Sequence, residues 1–347
     1  MKIHEKYMKR CIALAKNGLG TTYPNPLVGS VIVHNDTIIG EGWHQQAGQP
    51  HAEVHAIQSV QEKHLLKEAT LYVNLEPCSH FGKTPPCSNL IIEMGIKKVV
   101  IGCSDPNPKV AGKGIQRLKD AGCEVMENVL QKECEALNKR FITFHHKKRP
   151  YVILKWAETQ DGFIAPKQKR EQKPVWITNE FSRQWAHKMR AEEQAILVGT
   201  TTVLEDNPSL TTRDWKGPSP IRVLLDKNLK IPSQASVYDG SVKTMIFSEI
   251  EKKSTHLLVF ETIHFSTAVA QQICDTLFQY EIQSLMVEGG AKTLQTFIDE
   301  NLWDEAFVFK GPSIFTEGTK APVMAGTWIT ETKIKDDSLF HFINNKL

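Results

Sequence analysis

Short apolar segments alternate with amphipathic helical patterns along almost the whole chain. In the first half, segments 28–33, 37–41, 71–74 and 98–103 predict strands, while helices are predicted around 7–15 and from about residue 52. In the second half, helices are predicted at 181–190, 268–278 and 292–298, and strands at 151–155, 195–198, 222–225, 244–247, 257–260, 284–287 and 306–309. Strands that alternate with helices form sheets covered by helices. The chain is therefore predicted to be an α/β protein.

The length of 347 residues is about twice that of a common domain, so two domains are expected. A charged run over residues 145–150, which ends in a proline, interrupts the helical periodicity. Such a composition is typical of an exposed connection between domains. We predict a first domain over 1–146, an exposed linker over 147–150 and a second domain over 151–347. The chain shows no internal repeat, so the two domains are not expected to be duplicates.

Composition limits the partners that the chain is expected to have. With 42 Lys and Arg against 39 Asp and Glu, the net charge of +3 is too small to indicate nucleic-acid binding by itself. No window approaches the roughly 18 consecutive apolar residues that a membrane span requires. Seven scattered cysteines suit reduced thiols or metal ligands better than a disulfide framework. These features predict a cytoplasmic protein that acts on a small molecule, with neither a nucleic acid nor a membrane as partner.

One group of residues in the first half has the chemistry of a zinc site. His51 lies two residues before Glu53, and Cys78 follows a proline, with Cys87 after eight intervening residues. One imidazole and two thiolates suit Zn²⁺ and leave a fourth tetrahedral position open for water. Zinc lowers the pKa of that water to about 7 and so generates hydroxide, and Glu53 can carry the proton. The order His-x-Glu then Pro-Cys is that of zinc nucleobase deaminases, although the second cysteine is further away than in the general motif.

Other interpretations of these residues remain open at this point. The cysteines and the His-Glu pair can be unrelated, or the zinc site can be closed and structural, with a fourth ligand from His44, His80 or Cys103. The segment Gly82-Lys83-Thr84 imitates the end of a phosphate-binding loop. Pro77 occupies the position where that loop requires its first glycine, which excludes a nucleoside triphosphatase of this type.

Several segments of the chain resemble the bifunctional riboflavin-biosynthesis deaminase/reductases. In the first half these are Pro24 to Gly29, Gly42 to His44, His51 to Ala56 and Leu75 to Cys87, and the wider cysteine spacing is that family's own version of the motif. In the second half they are 155–162, 175–178, 190–191, 198–203, 206–211 and 288–290, in the same order as in the family's reductase domain. The resemblance implies a cytidine-deaminase-like α/β/α domain followed by a dihydrofolate-reductase-like α/β domain.

For the first domain, the resemblance implies one zinc ion held by His51, Cys78 and Cys87, with Glu53 as the proton donor. The residues implied to contact the base or the ribose phosphate of the substrate are Asn25, His44, His80 and Lys83. The implied reaction is zinc-hydroxide deamination of 2,5-diamino-6-hydroxy-4-(5-phosphoribosylamino)pyrimidine. Lys83 and His80 suit a phosphate because one is a cation and the other titrates near neutrality, although both also suit a solvated loop.

The second domain has no Rossmann fingerprint, because no G-x-G-x-x-G follows a strand in it. Gly289 and Gly290 lie between a predicted strand and a predicted helix, where backbone amides can approach a pyrophosphate or where a simple turn can occur. The resemblance implies reduction of the ribosyl group to ribityl with NADPH. The residues implied to contact NADPH are Ala157, Trp176, Thr202, Asp206, Lys227, Gly290, Ala291, Lys292 and Thr293.

The residues implied to contact the substrate in the second domain are Arg190, Leu210, Arg213 and Glu288. Two arginines suit a phosphate because a guanidinium offers planar bidentate donors. Lys155 and Glu288 form an ionisable pair suited to acid–base catalysis during ring opening of the sugar, or alternatively a structural salt bridge.

Two other functions fit part of the pattern. A nucleic-acid or nucleoside deaminase with an unrelated C-terminal module needs a basic channel, for which the cations at 147–149 are the only obvious support. The second alternative function is a non-enzymatic binding module, in which His51, Cys78 and Cys87 are structural zinc ligands. The preferred hypothesis is a zinc- and NADPH-dependent enzyme of riboflavin synthesis that forms a homo-oligomer.

Overall fold

The computed structural model describes residues 2–79, 85–107, 111–168 and 171–345. The chain divides into two compact units, Met1–Lys147 and Lys148–Leu347. Across the described ranges, no helix is both long enough and apolar enough to cross a membrane.

The first unit is built on a five-stranded mixed sheet. Its helices are α1 (Lys2–Ala15), α2 (Ala52–Ser59), α3 (Cys87–Glu93), α4 (Lys113–Asp120), α5 (Gln131–Leu137) and α6 (Lys139–Lys147). Its strands are β1 (Gly29–His34), β2 (Thr37–Trp43), β3 (Thr70–Leu75), β4 (Lys98–Cys103) and β5 (Glu124–Met126). They pair in the order β2-β1-β3-β4-β5, in which β3, β4 and β5 are parallel and β1 is antiparallel to both neighbours.

Helices cover both faces of this sheet. Successive residues of a strand point to opposite faces, and on β4 Val99 packs in one apolar cluster whereas Val100 packs in another. The first cluster includes side chains from α2, α3 and α4, and the second includes side chains from α1 and α5. The first unit is therefore an α/β/α layer structure, as predicted.

The second unit is built on a nine-stranded sheet. Its helices are α7 (Glu180–Glu192), α8 (Thr200–Asp206), α9 (Val269–Gln279) and α10 (Ala291–Asp299). Its strands are β6 (Tyr151–Glu158), β7 (Phe163–Pro166), β8 (Ala195–Gly199), β9 (Ile221–Leu225), β10 (Thr244–Ser248), β11 (Leu258–Thr262), β12 (Ser284–Gly289), β13 (Glu305–Lys310), β14 (Gly318–Lys320), β15 (Thr327–Ile334) and β16 (Asp337–Ile343).

The nine strands pair in the order β11-β10-β9-β8-β12-β6-β13-β16-β15. Pairing is parallel from β11 to β13 and antiparallel for β16 and β15. Strands β7 and β14 form a separate antiparallel pair. Parallel strands with helices on the sheet faces place their carboxyl ends at one edge, where ligands commonly bind.

The predicted α/β class is confirmed, and every strand and helix predicted from apolar patterning is present within a few residues. Strands β5, β7, β14, β15 and β16 were not predicted. Strand β15 is exposed along almost its whole length, so it has no burial pattern for periodicity to detect.

The segment predicted as an exposed linker has a different structure. Helix α6 continues through His145, His146 and Lys147, so the charged run does not end the helical periodicity where we predicted. Arg149 is buried, with only 5% of its side chain exposed, and its guanidinium donates two hydrogen bonds to Asp304, at 2.6 and 2.8 Å. Lys147 and Lys148 are exposed as predicted, but the prediction was wrong for Arg149 and Pro150. Arg149 is buried because the carboxylate of Asp304, far away in the sequence, neutralises it inside the second unit.

We expect a fragment of residues 148–347 to be more stable than one of residues 151–347. The shorter fragment lacks Arg149 and leaves the buried Asp304 without its cation, a loss that costs about 3 kcal/mol or more. Denaturant unfolding of the two fragments measures the difference. Equal unfolding free energies would show that the Arg149–Asp304 pair contributes nothing to the second unit.

Candidate active sites

Three side chains of the first unit converge as a candidate metal site. His51 immediately precedes α2, Cys78 follows β3, and Cys87 is the first residue of α3. The Nδ1 atom of His51 lies 3.6 Å from Sγ of Cys78 and 3.3 Å from Sγ of Cys87. All three donor atoms lie within 4.8 Å of one another, and no other residue joins this group in the part of the chain that the structure describes.

This arrangement has the dimensions of a zinc site. Zn–S bonds of about 2.3 Å and Zn–N bonds of about 2.0 Å at a tetrahedral angle place two ligand atoms roughly 3.5 Å apart. The two His51–Cys separations agree with that spacing. Two residues considered as a fourth ligand are engaged elsewhere: Cys103 donates to the carbonyl of Asn74, and Nδ1 of His44 lies 3.1 Å from the carbonyl of Pro50. Among the described residues no fourth ligand joins the three, so those present fit zinc with an open position; the third candidate, His80, lies outside the described ranges.

Without a metal, the three side chains form a charge-paired cluster. A hydrogen bond from Cys87, together with His51, lowers the pKa of Cys78 to about 4 despite burial, so this thiol is a thiolate at neutral pH. The hydrogen bond with Cys78 raises the pKa of His51 to about 9. Glu53, in the first turn of α2, is almost completely buried, and burial raises the pKa of its carboxyl group. A carboxyl group with a raised pKa is suited to accepting and donating a proton near neutral pH.

The loop that carries Cys78 is held from both sides. The buried carboxylate of Glu76 accepts hydrogen bonds from four backbone N–H groups, which belong to Asp105, Gly112, Gly114 and Ile115. The hydroxyl and the backbone N–H of Ser88 both donate to the carbonyl of Cys78, at 3.0 and 3.2 Å. These bonds tie the end of β3 to the start of α4 and to α3, so Cys78 itself is held in place before any metal binds.

Two of the four residues predicted to contact the substrate of the first unit lie together beside the zinc ligands. Nδ2 of Asn25 is 3.0 Å from Nε2 of His44, and the His44 ring stands edge-on to that of His51, with centroids 5.4 Å apart. Burial lowers the pKa of His44, which favours a neutral ring. The other two, His80 and Lys83, lie outside the described residues.

The second unit contains a cavity of about 850 Å³. It lies at the carboxyl ends of β8, β9 and β12, where α8 and α10 begin. The cavity wall includes every residue predicted to contact NADPH: Ala157, Trp176, Thr202, Asp206, Lys227, Gly290, Ala291, Lys292 and Thr293. The structure thus places residues from five separate segments around one space.

The cavity walls fit a dinucleotide. A Cβ atom on Gly199 would lie 2.5 Å from Oγ1 of Thr293, so glycine is required for the close approach of β8 to α10. The two helix starts supply backbone N–H groups that favour phosphate oxygens. Trp176 is 58% exposed and its ring stacks against the guanidinium of Arg183, which leaves an aromatic surface available to a planar ring. Lys227 is not a free cation, because Glu249 lies 3.2 Å from its Nζ atom.

Lys155 and Glu288 were predicted to pair, but the ion-pair partner of Glu288 is Arg190. Glu288 accepts two hydrogen bonds from Arg190, at 3.0 and 2.7 Å, and this bidentate pair is largely buried, with 12% and 8% of the Arg190 and Glu288 side chains exposed. Burial by itself would raise the pKa of Glu288. The positive charges of Arg190 and Lys155 outweigh this effect and lower the pKa to about 2. Burial lowers the pKa of Lys155, whose Nζ atom lies 5.5 Å from the ring centroid of Phe309. Glu288 is therefore a fixed carboxylate, and Lys155 is the group better able to exchange a proton.

One predicted substrate contact does not line the cavity. The Leu210 side chain is buried in the apolar core, and its backbone has a positive φ of 56°. Arg190, Arg213 and Glu288 do line the cavity. Arg213 is exposed, and its guanidinium contacts the hydroxyl of Ser209.

Sequence reasoning missed two residues that organise these sites. Glu76 lies inside a motif that we used, next to Pro77, and its position beside a metal ligand was the available signal. His187 lines the cavity and contacts the backbone of Arg213 at 3.1 Å. No sequence signal connects His187 to a residue 26 positions away.

Comparison with known families matches both units. Residues 1–103 match the family described as "Cytidine and deoxycytidylate deaminase zinc-binding region". Residues 150–346 match the family described as "RibD C-terminal domain". The two matches together cover most of both units.

Similarity to individual proteins extends over almost the whole chain. The riboflavin biosynthesis protein RibD of Aquifex aeolicus is 41% identical over 327 residues, which cover 91% of this chain and 89% of that protein. The RibD protein of Bacillus amyloliquefaciens is 44% identical over 330 residues, 92% of this chain and 87% of that protein. The crystal structure of a diaminohydroxyphosphoribosylaminopyrimidine deaminase/5-amino-6-(5-phosphoribosylamino)uracil reductase from Thermotoga maritima superimposes with a TM-score of 0.89 at 39% identity, over 99% of each chain.

Proposed function

The chain belongs to the riboflavin-biosynthesis RibD family of bifunctional deaminase/reductases, and from this premise we propose which of its residues carry the two reactions. The predicted fold, with a cytidine-deaminase-like unit and a dihydrofolate-reductase-like unit, is confirmed by this membership, as are the zinc-dependent deaminase and the NADPH-dependent reductase activities. The two alternatives are wrong, because the second half is the RibD reductase domain and the protein is an enzyme.

We propose that the first unit deaminates diaminohydroxyphosphoribosylaminopyrimidine, the compound after which the Thermotoga maritima enzyme is named. Water replaces one ring amine, which leaves as ammonia. The ribosyl group is then reduced to ribityl. We propose that the phosphorylated product of the first unit is the substrate of the second, since cationic side chains line the cavity of the second unit.

In the first unit, we propose that His51, Cys78 and Cys87 hold zinc, which when bound supplies a water activated at neutral pH. Glu53 takes a proton from this water and returns it to the leaving amine, a role that its burial and raised pKa support. Asn25 and His44 orient the pyrimidine ring. The convergence of the three ligands beside the buried Glu53 is the observation that carries the proposal.

In the second unit, we propose that NADPH, which supplies a hydride, occupies the cavity between the starts of α8 and α10. Arg190 and Arg213 bind the phosphate of the substrate, and Glu288 fixes the Arg190 guanidinium. Lys155 donates the proton that opens the ribose ring, since burial already lowers the pKa of its ammonium group.

Metal removal separates the two proposed activities. A chelator should abolish ammonia release and leave reduction of the already deaminated intermediate unchanged, because the cavity of the second unit contains none of the three zinc ligands. Restoration of ammonia release by added Zn²⁺ completes the test. Loss of both activities on chelation would contradict the assignment of zinc to the first unit alone.

We further propose that the protein works as a homo-oligomer paired through β15. This strand is the last in the nine-stranded sheet, and it exposes Trp328 and Ile329. Exposed apolar edge strands favour pairing with another strand. Light scattering should give about twice the chain mass of 39.2 kDa, and Trp328→Lys should lower it. A mass of one chain would contradict this proposal.

The proposed location is the cytoplasm. All seven cysteines are free thiols, and six of them are buried. Reduced thiols and a zinc site that uses two of them are typical of a reducing compartment.

A further inference from the structure

His187 contacts the residue proposed to bind the phosphate but was not part of the sequence-based site. It lies on α7, lines the cavity and is buried, with 6% of its side chain exposed. Its Nδ1 atom accepts a hydrogen bond from the backbone N–H of Arg213 at 3.1 Å. A buried imidazole therefore fixes the backbone at the point where the Arg213 side chain enters the cavity.

The surrounding charges keep the ring in the form that this hydrogen bond needs. Burial, followed by the charges of Arg190 and Arg213, lowers the pKa of His187 to about 4. The ring is therefore neutral at physiological pH, with its Nδ1 free to accept and its proton on Nε2. Nε2 faces the carboxylate of Asp214, whose Oδ2 atom is 3.5 Å away and whose side chain is largely exposed.

The loop that carries Arg213 is held at other points as well. Arg190 donates from Nη1 to the carbonyl of Thr211 at 3.3 Å, and the hydroxyl of Ser219 accepts from the N–H of Thr212 at 3.1 Å. Of these contacts, only the one from His187 reaches the backbone of Arg213 itself. Arg190 and His187 lie three residues apart on α7, so this helix holds one arginine and positions the loop of the other.

We propose that His187 is a positioning residue of the reductase site, which sets where the Arg213 guanidinium meets a phosphate monoester of the substrate. The inference rests on the proposed function, in which Arg213 binds that phosphate. It assigns His187 no contact with the reacting atoms. The expected consequence is an effect on the KM of the phosphorylated substrate and little effect on kcat.

Three variants test this in the full-length protein. His187→Leu removes the acceptor and should raise the KM for the phosphorylated substrate about tenfold, the size expected for losing one buried hydrogen bond. His187→Asn places an amide oxygen near the position of Nδ1 and should restore most of the affinity. Asp214→Asn is the matched control on the other ring nitrogen and should stay within about twofold of the parent, because an exposed ion pair contributes little.

Two measurements separate positioning from general damage. The KM of the dephosphorylated substrate should not change in His187→Leu, and ammonia release by the first unit together with NADPH binding reports whether the variant is folded. Arg213→Ala should raise the KM of the phosphorylated substrate. Adding His187→Leu to Arg213→Ala should cost nothing more, because the positioned side chain is already absent.

Each contrary outcome has a distinct meaning. If Arg213→Ala leaves KM unchanged, the phosphate assignment fails and the inference fails with it. If Arg213→Ala raises KM but His187→Leu does not, or if the two effects add, only the inference is overturned. An equal loss of affinity for the dephosphorylated substrate, a failure of His187→Asn to restore binding, or an Asp214→Asn effect as large as that of His187→Leu also overturns it.

Discussion

Glu53→Gln is expected to lose about 10²–10⁴ in the rate of ammonia release while zinc stays bound. Glutamine keeps the size and hydrogen-bonding capacity of the side chain, which is 3% exposed, but it cannot accept and return a proton. The zinc ligands His51, Cys78 and Cys87 are unaltered. Metal content measured alongside the initial rate of ammonia release checks both parts of the expectation.

Cys78→Ser is the informative comparison for Glu53→Gln, because it removes a ligand and should lose the metal itself. Reduction of the deaminated intermediate by the second unit serves as an internal control for folding in both variants. Near-normal ammonia release by zinc-replete Glu53→Gln would show that another group carries the proton.

Lys155→Met is expected to lower the rate of ribosyl reduction by about 10²–10⁴, the usual contribution of a general acid. Methionine retains much of the length of the side chain, and the Arg190–Glu288 pair is left intact, so the cavity should keep its shape. NADPH binding and ammonia release should be unchanged. The deaminated intermediate should therefore accumulate in the presence of NADPH.

Lys167→Met is the matched control for Lys155→Met. Lys167 also lines the cavity, but its side chain is 63% exposed and pairs with Glu317. Removing this charge should change the reduction rate by no more than about twofold, since exposed ion pairs contribute little. An equal loss in both lysine variants would mean that total positive charge in the cavity matters, and that Lys155 is not the proton donor.

Local patterning predicts the elements whose residues are buried in the sheet core. Strand β4 has the predicted bounds, 98–103, and β12 and α10 meet at Gly290 as the paired glycines indicated. Strand β15 could not be predicted in this way, because its side chains face solvent and its apolar residues follow no period. The end of helix α6 could not be predicted for a similar reason, because its last three residues are not buried.

Some residues of the candidate sites could also be predicted from the sequence, whereas others could not. His51, Glu53 and the two cysteines are visible in the sequence because zinc chemistry requires those residue types at recognisable spacings. The ion-pair partner of Glu288 could not be predicted from the sequence, because several cationic residues could pair with it. In the structure the partner is Arg190. The contact from His187 to a backbone N–H is also hidden, because any residue other than proline offers that donor.

The central claim is that one chain carries out two successive reactions at two sites. Its most direct test is incubation of the protein with the diaminohydroxyphosphoribosylaminopyrimidine, with and without NADPH, followed by mass measurement of the products. The account predicts replacement of one amino group by oxygen without NADPH, and a further gain of two hydrogens when NADPH is present. An unchanged substrate mass in a zinc-replete preparation, or a deaminated product that NADPH leaves unaltered, would contradict it.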